Sequence, residues 1–110
     1  MTFRHAGPMR PRSANEWRSF WHHGGDAELR EVLRREWPPL RDATEQACAR
    51  PAERIATLLG SNAPVRALAS ELSRIRADEI AAEPDRDADQ ATAEAIHAWF
   101  AAHAMVDANS

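Results

Sequence analysis

The sequence predicts an all-α protein, a compact bundle of four or five helices in one domain. Three observations carry this. Every apolar run repeats at three and four residues rather than two, and no hairpin dipeptide separates alternating segments. The chain holds no tyrosine and few valines or isoleucines, so β-formers are scarce. Of its 48 apolar residues 23 are alanine, the strongest helix former. Alanine contributes little buried area, so the few large side chains must make a thin core. The length of 110 residues suits a single domain.

Residues 1–12 read as a flexible basic arm, with Arg4, Arg10 and Arg12, no acid, and a Gly-Pro pair. Ser13 and Glu16 then fit a capping box that opens a helix running to about His23. Trp17, Phe20 and Trp21 fall on one stripe of it, and Gly24-Gly25 ends it through a left-handed residue. Asp26 is expected to cap a second helix whose inward face is Leu29, Val32, Leu33 and Trp37. Pro38-Pro39 stops that helix.

The third segment admits two readings. Either Thr44–Arg50 is a separate turn and Pro51 opens a new helix, or Pro51 sits inside one continuous helix. Ile55, Leu58 and Leu59 face inward and Gly60 ends it. Asn62 and Pro64 start a fourth helix with Val65, Leu68, Leu72, Ile75 and Ile80 inward, closed by Glu83-Pro84. Asp87 as cap with Gln90 three residues on opens a fifth, its inward side Ala93, Ile96, Phe100 and His103. The bundle thus spans 13–104, and 105–110 is expected to fray.

The stretch Glu53–Leu72 has the outline of a helix-turn-helix. Five steps separate Gly60 from Val65, one fewer than expected, and the second helix presents only Arg66 and Arg74 as bases beside Ser70 and Ser73. Phosphate anchoring normally needs more cations. A DNA-binding regulator using residues 53–76 is therefore the alternative reading, with plain helix packing ahead of it. Net charge agrees: residues 13–110 carry eleven arginines against seventeen acids, a net of −6 that repels nucleic acid.

Other patterns fail on chemistry. Asp85, Asp87 and Asp89 mimic the start of a calcium loop, but Gln90 stands where glycine is needed and Ile96 where glutamate is. His22-His23 and His97/His103 lack a shared helical face, so no metal site is expected. Cys48 lies between alanines with no local base, and the absence of lysine removes Schiff-base and P-loop chemistry. The expectation is a non-enzyme with no cofactor.

Two features suit protein binding. The window Asp78–Asp89 holds Asp78, Glu79, Glu83, Asp85, Asp87 and Asp89 against one arginine, a negative patch able to steer a basic partner. Trp17, Arg18 and Trp21 lie on the first helix beside the arm, a composition typical of interface hot spots.

The segment Glu36-Trp37-Pro38-Pro39-Leu40, the run Arg54–Gly60, and Leu68–Ile80 with Ser73-Arg74-Ile75-Arg76 resemble a group of small bacterial all-helical proteins of uncharacterised function. The likeness spans about residues 28–100. It departs where relatives carry an acidic, tyrosine-containing segment and this chain has Cys48-Ala49-Arg50-Pro51. Some of those proteins look like immunity partners of toxins, which implies an inhibitor of a protein partner. No functional residue is carried over. The expected protein is a non-enzymatic protein-binding module, immunity- or antitoxin-like, and a monomer or homodimer. With one cysteine, no apolar leader in MTFRHAGPMRPR and no membrane span, a cytoplasmic location is expected.

Overall fold

The computed structural model describes residues 8–107. Four helices of eleven or more residues make the bundle: α2 (Asp26–Glu36), α3 (Glu45–Gly60), α4 (Val65–Ile75) and α5 (Arg86–Ala102). They are preceded by the seven-residue α1 (Ala14–Phe20). Helix α2 packs on α3, α3 on α4, α4 on α5, and α5 back on α2, so the four close a ring around one core. That core is Leu29, Leu33 and Trp37 from α2 and its end, Ile55 and Leu59, then Leu68, Leu72, Ile75 and Ile96, each at most 2% exposed. Alanines 52 and 93 and Cys48 fill the close helix contacts between them.

The ends of the helices follow from local chemistry. Ser13 and Glu16 form the full reciprocal capping box at α1. Thr44 caps α3, its hydroxyl accepting from the Ala47 amide at 3.1 Å. Pro51 lies inside α3, buried, so the helix is continuous and the proline does not open a new one. The carbonyl that loses its partner belongs to Ala47, an exposed residue that water can reach. Asn62, at φ +57°, rather than Gly60, supplies the left-handed residue after α3.

Two expected caps are displaced. Asp26 is the first residue of α2, and its carboxylate accepts from Arg30 at 2.8 Å. Asp85, not Asp87, caps α5 through the Ala88 amide at 3.0 Å. Spacing alone cannot choose between aspartates two apart. Asp89, Thr92 and Ile96 lie together on the buried stripe of the helix.

The termini of the described chain pair with each other. Strand β1 (Met9–Pro11) runs antiparallel to β2 (Met105–Asp107), Arg10 opposite Val106. So part of the expected arm and of the expected fraying tail is a short ribbon, while residues 1–7 and 108–110 of those segments lie outside the described residues. Arg12 fastens the ribbon to the bundle through both its backbone and its side chain. The Arg12 amide donates to Ala104 O at 2.8 Å, its Nε donates to His103 O at 2.8 Å, and its guanidinium lies 5.3 Å and 5.1 Å from the Trp17 and Phe20 ring centres. Three-residue strands leave too little alternation to read in advance. Among the described residues no helix is long and apolar enough to cross a membrane.

Candidate functional site

The stripe Trp17, Phe20, Trp21 meets a second aromatic pair on the last turns of α5. Trp17 stacks on Phe100 at 4.4 Å and 15°, Phe20 lies 4.9 Å from His103, and Trp21 lies 6.0 Å from Trp99. All five aromatic rings and His103 are half-buried, none fully covered. Polar pins hold the edge in place. Trp99 Nε1 donates to Glu28 Oε1 at 3.1 Å, and His103 Nε2 lies 3.4 Å from the same oxygen. Arg10 clamps Glu16 with two bonds of 2.6 and 2.7 Å. That clamp, with the Ser13 amide, lowers the Glu16 pKa from 4.5 to about 2.

Trp21 also faces an open groove of about 870 Å³ between the turn Trp21–Gly25, the start of α2 and the middle of α3. Arg18, His22, Arg30, Arg50 and Glu53 line it with Trp21. The structure thus joins Trp21 and Arg18, two of the residues expected at an interface. Trp17 is not part of the groove lining and lies between Phe100 and Arg12.

The acidic window is less available than its composition predicts. Glu79 pairs with Arg54, which also holds Glu71, and Asp85 is spent as a cap. Asp89, expected on the partner-binding surface, is instead 1% exposed and cannot meet a partner. Its carboxylate accepts from Trp37 Nε1 at 2.8 Å, Ser73 Oγ at 2.8 Å and Arg76 Nη2 at 2.6 Å. Burial pushes its pKa up, and the bonds from Arg76, Trp37 and Ser73 together outweigh that and hold it below the usual value. Asp78, Glu83 and Asp87 stay exposed, with no ion pair within 4 Å among the described residues.

Arg66, Ser70, Ser73 and Arg74, the alternative DNA-reading set, do share one face. That face lines a second open groove, about 680 Å³, whose opposite wall is α5 with Arg86, Asp87 and Gln90. Nothing in the sequence signalled that Arg86 would join them, because the pairing is between helices. Cys48 is fully buried, which pushes its pKa up and keeps the thiol protonated. Among the described residues no group of three or more His, Cys, Asp or Glu is placed to hold a metal.

Comparison of the chain with protein-family models, with curated proteins and with solved structures finds no match in any of the three.

Proposed function

We propose that the chain is a non-enzymatic protein-binding module, an inhibitor of the immunity or antitoxin kind, that grips its partner through the aromatic edge. One observation carries the reading: Trp21 belongs at once to a pinned stack of rings and to the lip of an arginine-lined groove. Rings locked by neighbours lose little freedom on binding, so more of their burial is available as affinity. Tryptophan and arginine together are the usual anchors of such surfaces. Exposed Asp78, Glu83 and Asp87 would act at a distance, speeding encounter with a basic partner.

The test is capture of a partner by the tagged chain, followed by titration of that partner's own activity. Wild type should hold one partner at fixed stoichiometry and suppress its activity. Trp21→Ala and Arg18→Glu, each with unchanged circular dichroism, should weaken the complex at least about tenfold, or ~1.4 kcal/mol. Equal affinity in both variants would remove the aromatic edge from the reading. A saturated but fully active partner would remove inhibition.

A further inference from the structure

We infer that the groove between α4 and α5 binds a small organic phosphate carrying hydroxyl groups. Arg66, Ser70, Ser73 and Arg74 recur at helical spacing on α4, and Arg86 and Gln90 stand one turn apart on α5 across from them. The opening of about 680 Å³ is in the range of small-molecule sites. What sets it apart is how few of its guanidiniums are paired. Acids outnumber arginines seventeen to fourteen, and most arginines of the bundle sit within 4 Å of a carboxylate. Arg66 and Arg86 have no such partner among the described residues. Arg74 approaches only Glu71, at 3.6 Å, and Glu71 is already held by Arg54.

Two carboxylates face the groove. Asp89 is neutralised from behind by Arg76, so only Asp87 opposes the three guanidiniums. A net-positive concavity in a net-negative protein concentrates anions at that spot. Guanidinium forks match phosphate oxygens in pairs. Ser70, Gln90 and Asp87 then supply partners for hydroxyls, while Ala69 is the sole apolar residue in the lining. Such a wall suits a phosphorylated polyol and offers nothing to an acyl chain. The walls are also pre-set, because Ser73 of α4 donates to the Asp89 carboxylate of α5 at 2.8 Å through a partly buried bond.

Duplex DNA fits worse. The major groove, about 12 Å wide, admits one helix, and here the candidate reading face of α4 is flanked by α5. The arginines stand on the sides of a hollow, not on a ridge.

Calorimetric titration with glucose 6-phosphate, inorganic phosphate, glucose and a mixed-sequence DNA duplex tests this at low salt. The expected result is saturable one-to-one binding of glucose 6-phosphate, weaker binding of inorganic phosphate, and none of glucose. Arg66→Ala and Arg86→Ala should each weaken glucose 6-phosphate by roughly tenfold, the loss of one charged hydrogen bond. Arg35→Ala, on another helix and exposed, should leave it unchanged. No saturable binding of either phosphate, or equal affinity in the Arg66 and Arg86 variants, overturns the proposal. Inorganic phosphate binding as tightly as the sugar phosphate overturns the hydroxyl contacts. Duplex binding that outcompetes the sugar phosphate and falls steeply with salt replaces the proposal with DNA reading.

Discussion

Trp37 Nε1 donates a 2.8 Å hydrogen bond to Asp89 Oδ1, joining the end of α2 to α5 across 52 residues of chain. The same oxygen receives Arg76 Nη2 at 2.6 Å, and the Arg76 guanidinium lies 5.6 Å from the Trp37 ring centre. Three helices therefore meet on one buried carboxylate. Removing it strands the guanidinium: Asp89→Ala should cost about 3–5 kcal/mol, the usual penalty for an orphaned buried charge. Replacing both charges with apolar groups, Arg76→Met with Asp89→Leu, should cost less than Asp89→Ala alone. Urea denaturation of the three proteins checks the order. A double variant as unstable as the single one would mean that the pair is not acting as a unit.

Acidification should loosen the fold through the same group. The folded pKa of Asp89 is lower than its ordinary value, so its stabilisation is complete above the unfolded pKa and disappears as pH falls through the folded one. Glu16 acts in the same direction, between about 4.5 and about 2, by releasing Arg10 and with it the start of the ribbon. Thermal midpoints between pH 7 and pH 2 should hold steady at first and fall below the ordinary carboxylate range. Asp89→Asn should start lower and fall less. A midpoint in wild type that is flat to pH 2 would contradict the direction for both groups.

The contrast between Asp89 and Leu33 explains how much was legible. Leu29, Leu33, Leu68, Leu72, Ile75 and Ile96 all lie inward as their spacing predicts, because burial of hydrocarbon follows periodicity on a helix. The capping box at Ser13 was equally readable, since both of its bonds are local. Local pattern places Asp89 on the surface, whereas its burial depends on Arg76, Trp37 and Ser73, partners remote in sequence. The two grooves were hidden for the same reason. Trp21 and Arg18 share one helix and are visible in its local pattern, but the Arg30 and Arg50 walls opposite Trp21 exist only once α2 and α3 pack. The β ribbon needed Arg12 to find Trp17, Phe20 and the His103 carbonyl at once.

Cys48 gives a reporter of this core. It is 0% exposed on α3, and burial raises its pKa, so neither access nor thiolate favours reaction. Labelling by an aromatic disulfide reagent at neutral pH should be negligible in the native protein. It should rise in step with urea unfolding followed by circular dichroism. Labelling at the rate of a free thiol without urea would mean that this face of α3 is open.

The two glycines after α1 should respond to alanine for different reasons. Gly24 has φ +122°, where a side chain is strained, yet nothing lies within 4 Å of the position its β-carbon would take. Gly25 has ordinary helical angles, but a β-carbon there would stand 2.6 Å from Phe20 Cδ2 and 2.8 Å from Phe20 O. Gly24→Ala should cost about 1–2 kcal/mol from backbone strain alone. Gly25→Ala should cost about 1–3 kcal/mol by forcing the Phe20 ring outward. A double-mutant cycle with Phe20→Ala separates them: the Gly25 cost should shrink once the ring is gone, to the part owed to the Phe20 carbonyl, whereas the Gly24 cost should not change. Because Phe20 supports Trp21 at 5.2 Å, Gly25→Ala should also shift tryptophan fluorescence, and Gly24→Ala much less. Strictly additive costs at both sites would show that Phe20 does not fill the space beside Gly25.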